Sequence, residues 1–519
     1  MNFPAFSEKK FKYNKENNSS EVYVIEDVGV SIFAKYSELL VSDGYEKKEE
    51  TYRKGHRYAA YLGEDAVYLN YFDGTRELYI VVDKDIEYFS FTSPTLPYNA
   101  QPEITQLELL DFGMSYVVRL SDGRFIIFDG GRLFDKDVDR LYAHLKSRCV
   151  TEVPTVAAWI MTHPHVDHFE LFIGFYDKYG DEVRIESFIH NFPEHDDLAH
   201  YPSLADSELD RFHYDNSSMT RVPQMFERIA LSGAAVYTAH TGQQYNISDA
   251  HCEILACIDD TVHLSTNINA TSLVIRMELG GQVILWTADA SFEIAKLKEK
   301  HGEHLKADIL QIPHHGFGSG AASAEIEGYN IIKPSVCMLP VSEYNAFTTF
   351  CTFRGGTRYI MRDSGIDELI IATPTRTIAL PYTAPAYAKA ELREKYLAGL
   401  DNCGAPTWIF NGLSTSDPDD FVFTFFNSAN TKAIISADIF FEDAKKRIRY
   451  VKIEIPATSI KTLSIVGDEV DGDAVGFNWL SLKIQGIPEN VDFSVRFIAN
   501  VPVVVSHKKH TASYHSQNR

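Results

Sequence analysis

The segment TVAAWIMTHPHVDHFE, residues 155–170, joins an apolar run to a dense set of metal-ligating side chains. Thr155 to Thr162 reads as a short buried strand. His163, His165, Asp167 and His168 follow within six residues, in an H-x-H-x-D-H pattern. Imidazole nitrogens and carboxylate oxygens are good donors for zinc and related divalent ions. Placed on a strand-end loop, such side chains can converge on one point. In an extended chain His163 and His165, two apart, point the same way. Asp167 and His168 come after the turn and can face a second position, so two adjacent metal positions are expected. A lone histidine is ordinarily a surface or core residue. Four ligating side chains this close behind a buried strand are a different case.

Two further strands end in the same chemistry. QVILWTAD terminates at Asp289, and a buried carboxylate is costly unless paired or bound to a cation. Taken alone, Asp289 would also serve as an N-cap for the helix-like SFEIAKLKEK. ADILQIP runs into His314-His315-Gly316. Adjacent side chains in an extended chain diverge, so a turn permitted by Gly316 and Gly318 must aim both imidazoles. This suggests one ligand and one residue facing the substrate.

Together these segments resemble the metallo-β-lactamase superfamily of hydrolases. Within it, the likeness is to the hydrolase domain of bacterial DNA-uptake channel (competence) proteins and its soluble relatives. The resemblance covers residues 105–385. It includes FIIFDGG at Phe125 to Gly131, THPHVDH, Asn269 to Val274, LWTAD at Leu285 to Asp289 and IPHHG at Ile312 to Gly316, in order. It implies an αββα sandwich with the metals at one edge of two facing sheets.

By that resemblance His163 and His165 bind a first ion, Asp167 and His168 a second, and Asp289 bridges them. His314 is expected as a ligand of the second ion and His315 as the catalytic proton donor. Asp129 and Asn269 are expected to support the ligand loops, and His190 to be a further ligand. Ala288 stands where the family usually has glycine. The implied cofactors are two divalent ions, zinc or manganese. The implied reaction is hydrolysis of a phosphodiester or phosphoester by a metal-bridging hydroxide that Asp167 orients. The same scaffold also opens lactones, thioesters and β-lactams, and a non-enzymatic metal-binding scaffold is the remaining class. Arg132 and Lys136 could contact an anion, and Tyr344 and Asn345 could line the pocket.

Composition narrows the partners. The chain has 519 residues, 45% hydrophobic and 23% charged, with 72 acidic against 49 basic residues and a net charge of −23. That is globular, and its acidity disfavours long nucleic acid and anionic membranes, which need lysine and arginine. A dinuclear centre adds local positive charge, so a small or exposed anionic ester fits better. With no apolar leader, no membrane-length apolar run and six unpaired-looking cysteines, a cytoplasmic location is expected.

The fold class expected is multidomain α/β (α+β). Residues 1–100 form an α+β accessory domain and 93–103 a proline-rich linker. Residues 104–400 form the αββα hydrolase domain and 404–507 a β-sandwich, with 508–519 a disordered tail. Residues 1–20 are expected to fray. The apolar spacing of 31–50 reads as helix, Asp135 as an N-cap, and Ala384 to Leu400 as a closing helix. The sandwich, with Trp408, Phe477 and Trp479, could mediate oligomerisation or bind carbohydrate.

Overall fold

Alternation along the early strands divides their side chains between two buried faces, which is why the sequence there reads as nearly continuous apolar runs. The computed structural model describes residues 10–14, 20–84, 92–111, 113–192, 216–261, 268–290, 292, 296–316, 322–341, 365–395, 408–414, 416, 420, 422–427, 432–441, 447–464, 491–499, 501, 503–507 and 513–514. The chain divides into two compact units, residues 1–342 with 364–384, and 343–363 with 385–519.

The first unit opens with an antiparallel sheet ordered Lys10–Asn14, Ser20–Ile25, Glu77–Asp83, Ala66–Phe72, His56–Leu62, Glu46–Arg53. One face packs Ala59, Tyr61, Leu69, Leu78 and Ile80 under Phe33, Tyr36 and Leu40 of the helix Ser31–Ser42. The other packs Tyr58, Tyr68, Tyr79 and Val81 against Ile258 and Ile268, far along the chain. The expected long helix over 31–50 is therefore shortened. Gly44, at φ 89°, turns the chain, and Glu46–Arg53 forms an edge strand whose charges suit an exposed edge. Lys10–Asn14, expected to fray, pairs with Glu21–Ile25.

Two eight-stranded sheets follow. The first runs Ala235–Thr238, Ser187–His190, Thr155–Ile160, Phe125–Asp129, Ser115–Arg119, Glu103–Gln106, Arg376–Ala379, with Arg184–Ile185 beside Thr155–Ile160. The second runs Glu368–Ile371, Val336–Leu339, Ile309–Gln311, Gln282–Trp286, Val274–Leu279, Ala250–Ala256, Gln244–Ile247, Thr92–Ser93. Tyr116, Ile126, Phe128, Ala158 and Ile160 of the first share one core with Ile254, Ile275, Met277, Trp286 and Met338 of the second. Trp286 stacks on Phe128 with ring centroids 4.2 Å apart and meets Tyr116 edge-on at 5.1 Å. The outer face of the first sheet, Val117, Ile127 and Trp159, is covered by Leu141 and Leu145, Phe169 and Phe172, and Met225 and Ile229 from the helices Asp135–Arg148, Val166–Tyr179 and Asn216–Ser232. Asp135 sits just inside its helix, with Phe134 at the N-cap. On the second sheet, Leu285, Leu310 and Cys337 are buried as well. This is a helix–sheet–sheet layering whose middle strands are parallel, so their C-terminal ends meet at one edge.

The second unit packs a five-stranded sheet, Arg447–Ile455, Ala433–Phe441, Asp492–Ala499, Trp408–Ser414, Ser513–Tyr514, on a three-stranded one, Ser459–Ser464, Val422–Asn427, Val503–His507. Phe410, Phe423, Phe425, Val495 and Phe497 form its core, with Trp408 against it. Ser513 and Tyr514, in the expected disordered tail, pair with Ile409 and Trp408. The helix Ala388–Lys395 belongs to this unit. Tyr344, Asn345, Phe477 and Trp479 lie outside the described residues. Among the described residues no helix is long and apolar enough to cross a membrane.

Trp286→Ala should destabilise the first unit by about 3–5 kcal/mol, the range for emptying a buried aromatic site, and Trp286→Phe by less. Denaturant unfolding measures both.

Buried His240 gives a pH prediction. Burial would lower its pKa, but Asp259 and Asp83 outweigh that and hold it up at about 9. The folded value lies above the ordinary 6.5, so its contribution is complete below about 6.5 and is lost as pH rises through about 9. Melting temperature should fall from pH 7 to pH 10 more steeply in the native chain than in His240→Gln.

Candidate metal centre

Four strand ends build this site. Phe125–Asp129 delivers Asp129, Thr155–Ile160 leads into His163 to His168, Gln282–Trp286 into Asp289, and Ile309–Gln311 into His314 and His315. All are C-terminal ends, gathered by the parallel pairing of their strands.

Asp129 is fully buried and organises the loop. Its carboxylate accepts from the Thr162 amide and hydroxyl, both at 2.8 Å, and from His168 Nδ1 at 2.7 Å. With the proton on Nδ1, His168 presents the Nε2 lone pair to the site. The Thr162 hydroxyl lies 3.1 Å from His163 Nδ1, which likewise turns His163 Nε2 inward. His315 Nδ1 donates to the Pro340 carbonyl at 3.3 Å. Three imidazoles thus have their outer nitrogen occupied and their inner one aimed at a common region.

The inner atoms form two clusters, His163, His165 and Asp289, and Asp167, His168 and His315. His163 Nε2 is 3.1 Å from His165 Nδ1 and 3.6 Å from Asp289 Oδ2. His168 Nε2 is 3.2 Å from His315 Nε2 and 3.9 Å from Asp167 Oδ2, and His315 Nε2 is 3.3 Å from Asp167 Oδ2. Donors about 2.0–2.1 Å from a tetrahedral zinc ion are roughly 3.3 Å from each other, so these separations fit a divalent ion. Asp289 lies between the clusters, its oxygens 3.2 Å from His168 and 3.5 Å from His315.

The charges agree. Burial would raise Asp289, but His168, His315 and His314 hold it well below the carboxylate range. Burial would lower His168 and His315, but Asp289 and the other carboxylates raise His168 well above its ordinary value and His315 to about 9. The carboxylates therefore draw positive charge to the inner nitrogens, where a metal ion would displace a proton.

The adjacent histidines were expected with His314 among the donors, and the structure places His315 there instead. His315 lies with Asp167 and His168, whereas His314 Nε2 sits 3.2 Å from the Asn269 amide nitrogen and so accepts from it. His314 is 25% exposed at its side chain and 3.9 Å from Asp289, at the open side of the clusters. Four non-glycine residues here adopt left-handed backbone: Asp129 (φ 57°), Ala288 (φ 46°), His314 (φ 46°) and His315 (φ 51°). Such geometry costs about 1–3 kcal/mol each and persists where surroundings enforce it. His190 joins neither cluster among the described residues. Its ring packs between Phe192 and Phe226, at 5.4 and 5.2 Å. Arg132 lies 3.8 Å from Asp111.

Sequence reasoning missed Thr162, Pro340 and Gln311. Gln311 Oε1 accepts from the Thr287 and Ala288 amides at 2.8 and 2.6 Å, fixing the turn into Asp289. Its signal was available, since a glutamine interrupts an apolar strand.

No family model and no curated protein matches the chain. Among solved structures, it is similar to a metallo hydrolase from Ignicoccus hospitalis over 55% of its length and 100% of that chain, at 9% identity and a TM-score of 0.31. It is similar to the short form of human tRNase Z over 56% of its length and 97% of that chain, at 12% identity and 0.27. It is also similar to the Anabaena sensory rhodopsin transducer over 21% of its length and 84% of that chain, at 24% identity and 0.15. At such scores the reading of the site rests on its own geometry.

Asp129→Asn should weaken divalent-ion binding by the Asp167, His168 and His315 cluster by about 10–100-fold, because His168 loses the acceptor that fixes its tautomer. Chelator competition measures this.

Proposed function

We propose that this chain is a metal-dependent hydrolase of the metallo-β-lactamase fold, using two divalent ions to cleave a phosphodiester or phosphoester in a small or exposed substrate. One observation carries the reading: Asp289 stands between two three-residue clusters of inward-facing donors at the edge of two facing sheets. The likeness to the DNA-uptake hydrolase domain stands on the sequence motifs alone.

His163, His165 and Asp289 would hold one ion, and Asp167, His168 and His315 the other, with Asp289 shared. Bound there, zinc or manganese supplies Lewis acidity and a water acidic enough to ionise near neutral pH. Asp167, 19% exposed, would be the carboxylate that orients a water there. Because His314 Nε2 accepts from Asn269, the proton of its neutral ring sits on Nδ1. A phosphoester suits the site because local positive charge concentrates an anion despite the chain's −23.

Purified protein reconstituted with zinc or manganese should hold about two equivalents and cleave bis-p-nitrophenyl phosphate. Chelation should abolish turnover and metal should restore it. Asp289→Ala should weaken both ions and cut turnover by about 10²-fold or more. Preference for a lactone, thioester or nitrocefin would redirect the substrate class. Metal binding with no hydrolysis of any ester would refute the enzyme.

A further inference from the structure

Asn269 lies on a segment that the N-terminal sheet grips. Cys257 and the short helix Ile258–Thr261 begin this segment, and the 3-10 turn Ile268–Thr271 carries Asn269. At its start, His240 Nδ1 is 2.8 Å from Asp259, and His240 Nε2 is 3.3 Å from Asp83 and 3.4 Å from the Ser20 hydroxyl. Asp83 and Ser20 belong to the N-terminal sheet. Lys300 Nζ reaches Asp260 at 2.6 Å and the Tyr79 hydroxyl, also on that sheet, at 2.9 Å. The second Asp260 oxygen accepts from the Cys257 amide at 3.0 Å and from the Thr241 hydroxyl. Asn70 of the sheet donates to the Thr241 carbonyl at 2.5 Å. Ile258 and Ile268 are both packed among Tyr58, Tyr68, Tyr79 and Val81.

The far end of the same segment meets the metal centre. Asn269 donates to His314, Ser272 Oγ accepts from the Asp289 amide at 3.3 Å, and the Leu273 amide donates to the Thr162 carbonyl at 3.1 Å. Asp83, His240, Asp259, Asp260 and Lys300 belong to neither donor cluster. Buried charges in such a network add little net stability over apolar packing, and what they fix is one geometry. Here that geometry is the placement of residues 257–261 and 268–273.

We propose that the N-terminal sheet is a positioning element of the catalytic site: through Asp83, His240 and Asp259, through Lys300 and Asp260, and through its packing on Ile258 and Ile268, it fixes residues 257–261 and 268–273 and so holds the Asn269 amide against His314. Asp83 is then a positioning residue, remote from the substrate and acting through Asn269. Only its consequence for turnover rests on the hydrolase reading. The fixing of the segment does not.

The test has two arms. In Asp83→Asn, hydrogen–deuterium exchange should quicken at 257–261 and 268–273 while 155–160 and 309–311 keep their protection. Ser20→Ala, which removes only a hydroxyl, gives the same comparison should Asp83→Asn fail to fold. In the metal-loaded protein, Asp83→Asn should lower kcat on bis-p-nitrophenyl phosphate by about tenfold with KM and metal content unchanged, and by less than about twofold in an Asn269→Ala background, since residues acting in series are non-additive. Unchanged exchange at 257–261 and 268–273, or equal losses in both backgrounds, overturns the proposal. If the native chain hydrolyses no ester, the hydrolase reading fails and the exchange arm alone decides the positioning.

Discussion

Asp289 is 3% exposed, and its oxygens lie 3.2–3.9 Å from nitrogens of His163, His168, His314 and His315. A carboxylate in that position is tolerable only with positive charge beside it. The charge can be a proton on an imidazole or a divalent ion, and the protein supplies donors for either. Much of the surrounding architecture follows from this. Parallel strands bring four C-terminal ends to one edge, Asp129 fixes the orientation of His168, and Gln311 fixes the turn that delivers Asp289.

Backbone strain gathers at the same place. Asp129, Ala288, His314 and His315 all carry positive φ, and each is buried or tied by hydrogen bonds. Left-handed backbone at His314 and His315 turns the chain at the strand end, where His315 meets His168 while His314 meets Asn269. The aromatic stack of Trp286 on Phe128 and Tyr116, just below this edge, ties one sheet to the other and keeps the two halves of the site in register.

The N-terminal sheet belongs to the same economy of charge. Its Asp83 and Tyr79 meet His240 and Lys300, and its tyrosines cover Ile258 and Ile268. An accessory domain on a flexible linker would leave these groups exposed. Here they are buried, in one compact unit with the metal centre.

The sequence determined which side chains would converge. These donors follow apolar strands, Asp167 and His168 in the first turn of the next helix, and motif order alone marked His163, His165, Asp167, His168, Asp289 and the His314-His315 pair. The strand pattern also announced two β-rich ends. Tertiary structure decided the rest. Which adjacent histidine faces which partner depends on φ at two residues and on the Pro340 carbonyl, and no periodicity encodes that. His190 ends its strand, but its ring meets Phe192 and Phe226 and it is a member of neither donor cluster among the described residues. The helix expected over 31–50 forms over Ser31–Ser42 and then gives way to an edge strand, because Glu46–Arg53 finds its partner in His56–Leu62, a pairing that outweighs local helical spacing. His240, Asp83 and Lys300 carried no motif. Their meaning arises from burial together, which only the packing of one sheet against another creates.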